Sequence, residues 1–155
     1  MDDKKYNNFI NKINLEKIEL NSLNCNQNTS FVRTGELDIA LEHDIKSIKK
    51  DGVELRVQIG FEVAAAESVG NEKSIEDFQD ENILFKINFS LNLIYALQVD
   101  DDIDFLLDLD EEIEYFAATN VPVNAWPYAR ETISSITTRM GLPSLVIPPF
   151  KIGNF

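Results

Sequence analysis

Residues Asn120 to Glu131 read NVPVNAWPYARE, and Gly141 to Phe150 read GLPSLVIPPF. Prolines punctuate both stretches. The residues Asp108 to Ala118 are expected to form a short helix, since carboxylates in its first turn suit the positive end of the helix dipole. Pro122 is expected to stop that helix, because proline lacks the N–H that the next turn needs. Pro127 suits the first turn of a second helix. Ala129, Ile133, Ile136 and Met140 then recur at spacings of four, three and four, which places them on one helix stripe. Arg139 sits in the last turn, Gly141 is placed as a left-handed cap, and Pro143 bars continuation. Ser144 to Phe155 is expected to be extended, because Pro148-Pro149 forbids helix.

Upstream, the apolar period changes to two. Val53, Leu55, Val57, Ile59, Phe61, Val63 and Ala65 alternate with Glu54, Arg56, Gln58, Gly60 and Glu62. That is a strand with one wet face. Ile83 to Val99 repeats the pattern, with Lys86, Asn88, Ser90 and Asn92 on the polar side. Ile94 and Ala96 make the second face apolar at the far end, which predicts cover on both faces there. Two weaker strands precede these. Leu37, Ile39 and Leu41 form one. Ile13 and Leu15 are odd while Ile18 and Leu20 are even, so the first strand is expected to carry a bulge. Asn21 to Asn28 reads as an Asn-rich turn, and Lys50-Asp51-Gly52 as a hairpin turn between the second and third strands. Val69 to Glu81 reads as a longer loop. Strands followed by helices, rather than alternating with them, predict an α+β fold. The simplest arrangement is a four-stranded antiparallel sheet with helices packed on one face, in a single domain over 1-155.

Composition narrows the function. The chain has 155 residues and a formal net charge of -13. Such a surface repels nucleic acid and anionic membrane and favours basic partners. No apolar run approaches the roughly 20 residues needed to cross a bilayer. The N-terminus, MDDKKYNNF, lacks the apolar core of a secretory signal. The single Cys25 cannot form an internal disulfide and suits a reducing compartment, so a cytoplasmic location is expected.

Catalytic and metal chemistry find little support. One histidine, His43, and one cysteine, Cys25, offer no motif for a nucleophile with an oriented base. One Cys and one His cannot close a tetrahedral zinc site, so neither metal nor cofactor is expected. Asp100, Asp102, Asp104, Asp108 and Glu111 mimic the spacing of a calcium loop, but Phe105 stands where such a loop needs glycine. The segment reads better as an acidic connection between the last strand and the first helix, able to draw basic unfolded chains. A non-enzymatic protein is expected.

Apolar residues remain in surplus. Ile103, Phe105, Leu106, Leu107 and Leu109 lie among the acids, Trp126 adds a large ring, and Leu142, Leu145, Val146, Ile147, Phe150, Ile152 and Phe155 crowd the tail. An apolar surface of that kind marks a subunit interface or a binding groove. The C-terminal pattern resembles the SecB family of bacterial export chaperones. That family carries a Cys-Pro, then a Phe-Pro-Tyr-Ala-Arg-Glu run, a helix, and a Phe-Pro-x-Leu-x-Leu-x-Pro stretch. Here Val121-Pro122, the six residues Trp126 to Glu131, and Leu142 to Pro149 stand in those places without gaps.

The resemblance implies four antiparallel strands followed by helices, and a homo-oligomer, either a dimer or a dimer of dimers. It implies an ATP-independent holdase that keeps non-native polypeptides ready for export. Client segments would lie against Phe105, Leu106, Trp126, Leu142, Leu145, Ile147 and Phe150. Weak contacts of this kind gain strength by multivalency over an oligomer. The family's contact with the SecA motor maps to Glu16 and Glu19 on the first strand and to Lys86 and Asn88 on the fourth, where an acidic residue is expected and none stands. Set against the family pattern, the family's final helix is expected to have no counterpart here. Some SecB-like proteins guard a single partner such as an antitoxin, so a dedicated chaperone or assembly module is the alternative reading. Arg130 and Glu131 are expected to serve as a structural ion pair at the helix start.

Overall fold

Four long strands and a 30-residue helix make up most of the chain in a computed structural model that describes residues 1–31, 35–68, 70, 74–99 and 108–151. The strands are β1 (Ile13–Gln27), β2 (Leu37–Asp51), β3 (Glu54–Glu67) and β4 (Ile83–Leu97). They form one antiparallel sheet in the order β1-β4-β3-β2. Helix α1 (Asp3–Lys12) precedes the sheet and α2 (Asp110–Arg139) follows it. This is the α+β arrangement that the change of period predicts.

The odd-numbered side chains of β3 and β4 point to the helices. Leu55, Val57, Ile59, Phe61 and Val63 lie opposite Tyr95, Leu93, Leu91, Phe89 and Ile87, and all are buried. Bulges keep the outer strands in phase with this face. The register of β1 slips between Leu15 and Lys17 and again between Leu20 and Ser22. Each slip inserts one residue, so Leu15, Ile18, Leu20 and Leu23 face Tyr95, Leu93, Leu91 and Phe89 in turn. The expected bulge is therefore present, with a second beyond it. A further slip between Ile45 and Ser47 does the same for β2.

Several expectations change. Asn21 to Gln27 is the second half of β1 rather than a turn, because its side chains pair with those of β4. The β2–β3 hairpin turns on Gly52 and Val53, with Gly52 at φ 58, so Val53 is a turn residue and not an inward strand position. Cover on the second face lies at the opposite end of β4 from the one expected. Ile94 and Ala96 are only half-buried, whereas Ala40, Ala64 and Ala66 are sealed by Ile75 and Phe78 from the first 3-10 turn of the β3–β4 connection.

The two expected C-terminal helices are one. Pro122 and Pro127 both lie inside α2. Each removes one backbone hydrogen bond, but packing holds the helix together, since Ile113, Ala117, Val121, Ala125, Ala129 and Ile133 are buried against the rest of the core. Its end matches expectation. Gly141 has φ 77, its N–H reaches the Thr138 carbonyl (3.0 Å), and the Leu142 N–H reaches that of Thr137 (3.1 Å). That pair of bonds is a Schellman cap.

Helix α1 has no counterpart in the sequence reading. Asp2 caps it by accepting from the Lys4 N–H at 2.9 Å. Phe9 is fully buried and meets Phe116 of α2 edge to face at 5.5 Å.

Candidate functional site

Beyond the cap, the chain turns back along α2 without regular structure. Side chains of the helix hold the backbone of this strap. The Trp126 Nε1–H donates to the Pro148 carbonyl (2.7 Å), and the Arg130 Nε–H donates to the Ile147 carbonyl (2.9 Å). The Thr137 hydroxyl accepts from the Leu145 N–H (2.9 Å), and the hydroxyls of Ser134 and Ser144 meet. Positions 126, 130, 134 and 137 are four, four and three apart, so they form one face of the helix. Arg130 therefore holds backbone, and the expected Arg130–Glu131 ion pair is absent from the described contacts.

Ile147 is the strap's one fully sunk side chain, and Leu142 and Leu145 pack partly against the same core. Phe150 reaches Trp126, with ring centres 5.1 Å apart. His43 of β2 joins them, 5.9 Å from each ring, and Phe61 lies beneath, stacked on Phe89 at 5.2 Å. Partial desolvation against these rings lowers the His43 pKa and Asp44 opposes the shift, while the side chain as a whole stays exposed. The structure brings together five of the expected client-binding residues, Trp126, Leu142, Leu145, Ile147 and Phe150. Phe105 and Leu106 lie outside the described residues. The sequence reading missed His43, Ser134 and Thr137. Only the four-residue spacing of Trp126, Arg130 and Ser134 hints at their common face.

The strips beside α2 are less covered. On β1, Leu15, Leu20 and Leu23 are 41%, 53% and 40% exposed on the helix side of the sheet. On β2, Ile39 and Ile48 are also exposed, and Leu41 and Ile45 are half-buried.

The opposite face of the sheet is polar. Asn21 and Ser22 bond to Ser90, and the Gln58 amide donates to Asn92 (3.2 Å). A concavity of about 570 Å³ lies here, its polar lining supplied by Asn21, Ser22, Gln58 and Ser90 and by Asp44, Lys46 and Glu62. Its lining is hydrogen-bonded and charged, so it does not suit an apolar segment. Three of the residues mapped to a motor contact, Glu19, Lys86 and Asn88, share this face, whereas Glu16 falls at the first bulge of β1. Their charges are matched locally. Glu19 pairs with Lys17 (2.8 Å) and lies 3.7 Å from Arg56, and Lys86 pairs with Glu62 (3.3 Å). The hydrogen bond from Lys17 holds the Glu19 carboxyl below its usual pKa. The acidic excess of the chain is therefore not gathered on this face.

Among the described residues, no cluster of three or more His, Cys, Asp or Glu side chains could hold a metal ion. No described helix is long and apolar enough to cross a membrane.

Comparison with known proteins places this geometry. The SecB-like chaperone of Mycobacterium tuberculosis, solved in complex with a ChAD peptide from the HigA1 antitoxin, superposes with a TM-score of 0.72. The match covers 96% of this chain and 97% of that one, at 17% sequence identity. The fold is SecB-like. At that identity the match defines the fold alone, and the strands and long helix account for it. A protein of unknown function from Streptococcus agalactiae matches with a TM-score of 0.39 and 9% identity, over 88% of this chain and 97% of that one, too distant to inform the reading. No family model matches the sequence, and no curated protein matches it.

Proposed function

We propose that this protein is an ATP-independent chaperone that holds non-native polypeptide against the helix side of its sheet. The carrying observation is the pairing of a SecB-like fold with uncovered apolar strips on both sides of α2. Apolar surface that folding leaves open binds extended apolar segments, and weak contacts spread over several strips tolerate many sequences. The net charge of -13 adds attraction for basic chains. The test is aggregation of a refolding client protein with stoichiometric amounts of this protein present. Suppression without nucleotide is expected, and an unchanged aggregation rate counts against the proposal.

Within that reading, service to one dedicated partner is favoured over general export. The locally neutralised polar face supports this, because Lys86 and Asn88 stand where the SecA contact calls for an acid and the neighbouring Glu62 and Asp44 are paired with Lys86 and Lys46. The neighbour solved with an antitoxin peptide supports it as well. A pull-down recovering one dominant partner is expected, and tight SecA binding would restore the export role.

A further inference from the structure

The strap over α2 has the properties of a bound peptide. Its main chain is fixed by side chains of the helix rather than by a strand ladder. Such contacts read backbone, and backbone is common to every sequence. Side-chain selection is strongest at two places, the recess that takes Ile147 and the edge between Trp126 and His43 that takes Phe150, with Leu145 packing partly against the core beside them. Pro148 and Pro149 between them are exposed, and Val146 just before the recess is 64% exposed. At positions 147 and 148 the helix presents N–H donors and the strap supplies only carbonyls. An occupant with proline there loses nothing, since proline lacks only the donor.

We propose that the face of α2 carrying Trp126, Arg130, Ser134 and Thr137, bordered by His43, is the client-binding site, and that Ser144 to Phe150 is its resident occupant. This rests on the chaperone reading above. The ligand is an extended segment with an aliphatic residue in the Ile147 recess, an aromatic residue three positions later, and free choice between them, proline included. A client enters by displacing the strap, so the site is closed in the resting protein and its affinity is reduced by the fraction of time the strap occupies it. Leu145, Ile147 and Phe150, expected from the sequence to contact a client, are on this proposal part of its competitor, and of that set Trp126 lines the site.

The test locks the strap reversibly. Ser134 and Ser144 touch through their hydroxyls, so Ser134→Cys with Ser144→Cys places two thiols in contact. Cys25 is exposed and is replaced by serine to leave one pair. The full-length variant is compared with itself, reduced and oxidised, with circular dichroism and thiol titration confirming fold and bridge. The probe is fluorescein-labelled, reduced and carboxymethylated α-lactalbumin, followed by anisotropy. The reduced form is expected to bind, and the oxidised form to bind at least about tenfold more weakly. Equal binding by both forms would overturn the proposal and leave the chaperone reading standing. Binding by neither would overturn both. Phe150→Ala supplies an independent check, because it weakens the occupant and leaves the site intact. Tighter probe binding is expected, and unchanged affinity means that the strap is merely structural. Trp126 is the only tryptophan, so its emission reports strap release directly. A synthetic peptide of sequence GLPSLVIPPFK, which contains no tryptophan, is expected to shift that emission in the reduced form only.

Discussion

Lys5 ties the N-terminus to the start of α2. Its ammonium lies 3.3 Å from Glu112 Oε2, and Glu112 is only 1% exposed. That oxygen has no aligned hydrogen-bond donor, so the contact is Coulombic, and Lys5 is what offsets a carboxylate taken out of water. Lys5 also donates to the Asp108 carbonyl, which fixes the one described non-glycine residue with positive φ, at 85°. Lys5→Met is therefore expected to lower stability by roughly 2 to 3 kcal/mol, below the roughly 3 to 5 kcal/mol for breaking a fully buried pair because the ammonium stays partly solvated. The double variant Lys5→Met/Glu112→Leu is expected to recover most of that loss, since neither charge remains. Urea midpoints of the two variants check both statements. The pair was not legible in the sequence, because it spans more than a hundred positions, although Tyr6, Phe9, Ile10 and Ile13 at spacings of three, one and three do mark the apolar face of α1.

At the scale of elements, what could be read depended on period. β3 and β4 alternate cleanly, so their faces were plain. In β1 the parity changes twice, at Glu16 and at Asn21, and the second change disguised half a strand as an Asn-rich turn. In α2 the buried line runs through Ile113, Ala117, Val121, Ala125, Ala129, Ile133 and Thr137, always four apart. A step of four advances about 40° around a helix of 3.6 residues per turn, so the line winds about the axis and no single stripe shows. The winding matches the change of neighbours, from α1 and β4 at the start to the strap at the end. Pro122 and Pro127 then read as boundaries although the packed helix runs through them. The cap was legible because its chemistry is local. Gly141 has φ 77 and open space where a Cβ would go, so Gly141→Ala meets only the backbone penalty. It is expected to cost about 1 kcal/mol, and Gly141→Asn less, since asparagine tolerates the left-handed region. Thermal denaturation of the two variants checks the order.

For the whole molecule the open question is what covers the apolar strip on β1. That strand is an edge of the sheet and spans 15 residues, so it presents an unpaired backbone rail alongside Leu15, Leu20 and Leu23. Long apolar edges of this kind are rarely left bare, because they recruit another strand. The strip could serve clients alone or be covered by a second copy, and one substitution separates these. Leu20 is 53% exposed, so Leu20→Asp is expected to change the stability of an isolated chain by no more than about 0.5 kcal/mol. Beneath a second copy the same carboxylate would be buried without a partner, and association would be lost. We expect the native protein to scatter light as a multiple of 17.6 kDa and Leu20→Asp as 17.6 kDa, with an unchanged circular dichroism spectrum. A native mass of 17.6 kDa at micromolar concentration would instead leave the β1 strip to clients. The chaperone would then act with the multivalency of one chain only, through the strips on β1 and β2 and the strapped face of α2 between them.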